Sequence, residues 1–163
     1  MHSNVLNTKV YHSTTLFMNH EEQVNAYLLS LSEPKRSDMQ ALHHLMLEVM
    51  PESELWFMDG KNSANKIVSN PNIGYGFQLL NYADGSSKPF YQIGISATKT
   101  GISVYILTFK DRTYLAKTYG KNIGKATVTS YCIQFKKLND INIALFKEML
   151  QDGIGTESKD LLR

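Results

Sequence analysis

The chain has a single cysteine, Cys132, so no disulfide can close within it, and nothing in its thiol usage points to secretion. No stretch reaches the roughly 18 apolar residues that a membrane-spanning helix needs. The opening MHSNVLNTKVYHSTTLFMNH lacks the basic-then-apolar pattern of a secretory signal. A cytoplasmic protein with no membrane partner is the expectation. An excess of one sign of charge is lacking as well. Seventeen Lys and Arg stand against 15 Asp and Glu, a formal net charge of +2, too small to suggest a nucleic-acid partner. Any preference for a charged ligand must then come from a local cluster. There is no internal repeat, no low-complexity tract and no boundary between two cores. What is present is ordinary for one globular domain: 163 residues, 42% hydrophobic and 20% charged, enough to bury a core without staples.

Helical periodicity opens the folded part. Asn19 is a good N-cap with Glu22 at the third helical position, and Val24, Tyr27, Leu28 and Leu31 recur at helical spacing. "SEP" (residues 32–34) breaks this helix and Pro34 is fit to open the next, in which Met39, Leu42, Leu45, Met46 and Val49 form an apolar stripe ended by Pro51. The character then changes. "LWFM" (residues 55–58) predicts a short strand and residues 59–72 a long polar loop. "IGYGFQLLNYA" (73–83), "FYQIGISAT" (90–98) and "ISVYILTF" (102–109) predict three strands of an antiparallel meander. A helix over 111–119 stopped by Gly120, a last strand over 128–136, and a final helix capped by Asn139 or Asp140 complete the order. This pattern predicts an α+β fold with a mostly antiparallel sheet. The expected organisation is an extended or flexible arm at 1–18, one domain at 19–152 and a polar tail at 153–163.

Chemistry is sparse. "YGKNIGKAT" (residues 119–127) evokes a phosphate-binding P-loop but fails it: Tyr119 stands where the first glycine belongs, Ala126 replaces the magnesium-binding hydroxyl, and a helix precedes the loop where a strand should. The readings left open are a surface turn with solvated lysines and an anion site using Lys121, Lys125 and backbone amides. On a strand, side chains alternate between faces, so at most one of Lys136 and Lys137 can join that patch. Trp56, Tyr75, Phe77, Tyr91 and Tyr105 fall on successive predicted strands and several could share a face, either as core or as the wall of a ligand pocket, with two glycines beside Tyr75 permitting close approach. The adjacent His43 and His44 do not converge on a metal, and no Cys/His cluster suggests zinc. Cys132 lies inside a predicted strand, as a small buried residue would. No G-x-S-x-G elbow appears, and no catalytic residue can be assigned.

Five stretches carry a resemblance. "NIGYGFQLLNYADG" with "FYQIGISATKTGISVYI", then "YGKNIGKA" with "SYCIQFKKLNDINIALFKEML", resemble the YdhG-like family (domain of unknown function 1801). That family shows a G-[FY]-G strand, a Y-x-x-G turn, a Gly-Lys loop, a strand ending in two basic residues and a D-[IV]-[DN] helix start. "VNAYLLSLSEPKRSDMQALHHLMLEVMPE" is similar to its N-terminal helical hairpin, so the resemblance spans about residues 20–152. The extra "ATVT" after Gly124-Lys125 and the length of 59–72 depart from the pattern. The resemblance implies a frataxin-like fold with the helices on one face of the sheet. It also implies intracellular iron as a candidate ligand, although most family members have no assigned activity. A frataxin-type iron site would be an acidic surface, for which Glu21 and Glu22 on the first helix are the candidates, followed by Glu48, Glu52 and Glu54. Hard cations want clustered oxygen ligands, and a sequence pI near 8.5 does not suggest such a surface. Two functions follow as expectations: a non-enzymatic binding or chaperone-type module for iron, or a small-molecule or anion-binding domain built on Lys121, Lys125 and Lys136 with Tyr75 and Trp56. An exposed edge strand would make a homodimer unsurprising.

Overall fold

The structure, a computed structural model, describes residues 18–160. The expected arm at 1–18 lies outside the described residues except for Met18. Helix α1 (His20–Ser30) starts where the sequence says it should. The Asn19 side chain accepts from Glu22 N at 2.9 Å, and the Glu22 carboxylate accepts from Asn19 N at 3.0 Å, which satisfies two of the amides a helix start leaves without partners. Helix α2 (Lys35–Val49) follows directly after Pro34 and buries Met39, Leu42, Leu45 and Met46.

Eight strands come next. β1 (Leu55–Met58), β2 (Asn72–Tyr75), β5 (Ile93–Ala97), β6 (Ile102–Ile106), β8 (Cys132–Phe135) and β7 (Ala126–Val128) form a six-stranded antiparallel sheet in that spatial order. β3 (Gln78–Asn81) and β4 (Ser87–Phe90) pair only with each other. Helix α3 (Tyr114–Tyr119) lies between β6 and β7, and α4 (Ile143–Asp160) ends the described chain. The fold class is therefore α+β.

Register decides which face is which. Ile73 pairs with Ile95, Tyr75 with Ile93, Val104 with both Ile95 and Ile133, and Ile102 with Phe135. Partners directly opposite share a face, so these residues form one continuous apolar surface. The buried residues of all four helices join them in a single core; α1 lies against β1, α2 against β5, α3 against β7, and α4 against α2. Each fully buried isoleucine contributes roughly 1.5–3 kcal/mol to that packing, and the helices stay on this side of the sheet.

Several boundaries differ from expectation for identifiable reasons. The predicted strands 73–83 and 90–98 are one long hairpin, bent in the middle. Tyr75↔Ile93 and Gln78↔Phe90 lie three residues apart on both strands, so the register runs through the bend unbroken. Gly76, at φ +81°, supplies the turn of the backbone that a side-chain-bearing residue would resist. The outer half, β3–β4, leaves the sheet as an arm with Leu79 and Tyr82 about half exposed. The predicted last strand is likewise two, β7 and β8, folded at Thr129–Tyr131, and the extra "ATVT" is what makes β7. Helix α3 begins later than expected because Asp111 closes a turn on Thr113, accepting from its amide and its hydroxyl, each at 2.8 Å. The cap of α4 is Asn142, whose side chain accepts from Leu145 N at 3.1 Å; Asn139 and Asp140 sit in a preceding 3-10 turn, Leu138–Asp140. α4 then runs on into the expected polar tail as far as Asp160, and residues 161–163 of that tail lie outside the described residues. Gly153 is buried in it, and its carbonyl accepts from the Thr108 hydroxyl at 2.6 Å.

Candidate functional site

The face of the sheet turned away from the helices is polar and partly open. Strand alternation places there Trp56 and Met58 of β1, Asn72 and Gly74 of β2, Gly94 and Ser96 of β5, Ser103 and Tyr105 of β6, Cys132 and Gln134 of β8, and Thr127 of β7. Across its middle, Gly74 and Gly94 stand opposite each other and the Tyr91 ring lies on them. A Cβ at Gly74 would fall 2.4 Å from Tyr91 Cδ1, and one at Gly94 2.6 Å from Tyr91 Cε2. Tyr91 thereby covers the half of this face nearest the hairpin arm.

The other half holds a cleft of about 840 Å³, within the range of small-molecule sites. Its floor is a row of paired polar residues, Ser103↔Gln134 and Thr127↔Gln134. Its wall is the β5–β6 turn, residues 98–101, closed by Gly101 N donating to Thr98 Oγ1 at 3.1 Å. Gly101 packs so tightly on the Phe135 carbonyl that a Cβ there would fall 2.2 Å from the oxygen. From the helix side, Lys35 Nζ donates to the Thr98 carbonyl, tying the turn to α2. Lys99 rises from this turn. Lys125 and Lys136 stand one residue beyond the last β7–β8 pair, Ala126↔Phe135, and line the cleft on the same side. The one acidic lining residue, Asp140, already has its carboxylate engaged by Lys137 N at 3.2 Å and its carbonyl by Lys125 N at 2.8 Å. Lys99 and Lys125 are exposed, as is Lys136, and none of them forms an ion pair among the described residues. Three ammonium groups against one carboxylate make the cleft locally cationic in a chain that is nearly neutral.

Tyr105 closes the far end. Burial pushes its phenol above the ordinary tyrosine range, with the neighbouring Cys132 and Tyr131 adding to the shift against a lowering hydrogen bond from Ser103, so it is a neutral donor at physiological pH. Its ring stacks on Tyr131 at 6.4 Å between centroids.

The residues singled out in the sequence divide. Lys125 and Lys136 are brought together in the cleft. Lys121 is exposed in the turn after α3 and does not line it. Trp56 sits on the same sheet face but at the distant edge strand, half-buried, its Nε1 donating to the Gly76 carbonyl at 2.8 Å. Tyr75 is a correction: it points into the helix-facing core, fully buried, with its hydroxyl 2.6 Å from His43 Nδ1. Its alternation with Ile73 on one strand is the physical reason.

Glu21 and Glu22 are exposed on the first turn of α1, and Glu22 is committed to the capping box. Glu48 pairs with Lys147 at 3.4 Å. Among the described residues no three His, Cys, Asp or Glu side chains converge to hold a metal, so the donors do not fit an iron site. Lys99, Ser103, Tyr105, Thr127 and Gln134 were not picked out as a set. Their signal was period-two alternation, since Ser103 and Tyr105 interleave with Ile102, Val104 and Ile106.

Fold and site together define an α+β protein with a lysine-rimmed cleft on the open face of its sheet. Compared with known protein families, curated proteins and solved structures, the chain matches none.

Proposed function

We propose that this protein is a non-enzymatic binding module, a YdhG-like domain of the cytoplasm, that holds a small organic anion in the cleft between the β5–β6 turn and the β7–β8 edge. The observation that carries the reading is the meeting of Lys99, Lys125 and Lys136 over a hydrogen-bonding floor of Ser103, Gln134 and Thr127. Lysines act as mobile point charges that suit phosphate or carboxylate, and the floor offers hydroxyl and amide partners for the rest of such a ligand. The motifs of residues 20–152 and the α+β architecture support the family part of the proposal. A lone buried thiol, Cys132, is compatible with a reducing compartment. The iron reading loses ground here, because its carboxylates are dispersed or already engaged.

Calorimetric titration of the full chain with pyrophosphate at low salt tests it. Saturable binding is expected, weakened at least about tenfold, or about 1.4 kcal/mol, in the double variant Lys125→Ala/Lys136→Ala. Lys121→Ala should bind like the parent. Absence of binding, or equal loss in Lys121→Ala, would overturn the proposal.

A further inference from the structure

The cleft is graded from one end to the other. At one end stand the three ammonium groups. In the middle is the Ser103–Gln134–Thr127 row. At the other end is an aromatic shelf, the half-buried Tyr105, backed outside the cleft lining by a Tyr131 that is 51% exposed. Tyr105 pairs with Cys132 on β8, and Lys136 lies four residues further along that strand, so the shelf and the cations are separated by about 13 Å of strand. A plain inorganic anion would use the cationic end alone and leave the shelf and the polar row idle.

We propose that the ligand of this cleft is a nucleotide: a planar ring against Tyr105, sugar hydroxyls on Thr127 and Gln134, and a di- or polyphosphate among Lys99, Lys125 and Lys136. This rests on the anion-binding reading and narrows its ligand. It needs no P-loop, since Lys125 reaches the phosphates from a strand edge and not from a ring of glycine amides. Tyrosine supplies a flat apolar surface with a polar tip, and base–aromatic stacking is tolerant of which base is present. A single strand of RNA would instead need cations spaced along a groove to follow its backbone. Here they gather at one end.

Titrations of the full chain with ADP, pyrophosphate, ribose 5-phosphate and a single-stranded oligoribonucleotide discriminate these outcomes. ADP should bind roughly tenfold or more tightly than pyrophosphate, an advantage of the size one stacked base provides. Ribose 5-phosphate should gain no such advantage. Tyr105→Ala should abolish the ADP advantage and leave pyrophosphate affinity unchanged, while Tyr105→Phe, which keeps the ring, should retain it. Pyrophosphate bound as tightly as ADP would overturn the nucleotide inference and leave the anion reading standing. No binding of either would remove both. An oligoribonucleotide that outcompetes ADP at equal nucleotide concentration would overturn it in favour of a nucleic-acid platform.

Discussion

His43 of α2 and Tyr75 of β2 meet through Nδ1 and the hydroxyl at 2.6 Å, on the core side of the sheet. Burial pushes Tyr75 well above the ordinary tyrosine range. It also pulls His43 below the ordinary histidine range, helped by the neighbouring charge of His44 and opposed by Glu21. A histidine whose folded pKa is depressed binds more protons in the unfolded chain. Its contribution to stability is therefore present above the unfolded pKa, about 6.5, and is lost as pH falls through the folded value. Thermal denaturation across about pH 7 to about pH 5 should show falling stability. His43→Gln, which keeps a partner for the Tyr75 hydroxyl without a titrating group, should flatten part of that slope; an unchanged slope would contradict the assignment. At this scale the sequence was legible where one rule decides. Cys132 is buried as its strand position suggested, and of Lys136 and Lys137 one lines the cleft. Tyr75 was left open between core and pocket wall, because the sequence alone does not say which face of its strand meets the helices; it shares the core face with Ile73.

Whole elements were legible where capping and period agree, as in α1 with its Asn19–Glu22 box and in the apolar stripe of α2. They were less so where one residue changes the path of a strand. Nothing in composition marks Gly76 as the bend that sends β3–β4 out of the sheet, or Thr129–Tyr131 as the fold between β7 and β8. The expected polar tail begins at Gly153, yet α4 carries this residue buried against Ile106, where a Cβ would fall 2.8 Å from Ile106 Cγ2. The Gly74–Gly94 pair gives this scale its test. Gly94→Ala would force the Tyr91 ring off the sheet, and urea unfolding should register a loss of about 1–3 kcal/mol, the usual cost of overpacking. Gly155→Ala, in α4 and with nothing within 4 Å of the new Cβ, should instead stabilise by about 0.5–1 kcal/mol. Equal effects from the two substitutions would contradict the close packing of Tyr91 on β2 and β5.

For the molecule as a whole, the decisive feature is that all four helices contribute to one core on one face of the sheet. Among the described residues the opposite face is covered by Tyr91 and the neighbouring loops, and at the cleft Thr127 and Gln134 stand exposed to a ligand. The α+β class follows from the order of periodicities along the chain. The cleft could not be read the same way, because it is assembled from four separated segments, Asn70 and residues 98–105, 125–127 and 134–140, and only strand order brings them together. Two of its lysines were visible in the sequence; the third, Lys99, is on a turn whose place depends on β6 pairing with β8. The central claim is that this open face, and not the acidic start of α1 or the Lys121 turn, binds an anion. Amide chemical-shift mapping of the ¹⁵N-labelled full chain during a pyrophosphate titration tests it most directly. Saturable shifts should concentrate at Lys99–Ser103, Lys125–Thr127 and Gln134–Lys136. Shifts centred on Glu21, Glu22 or Lys121, or none at all, would contradict it.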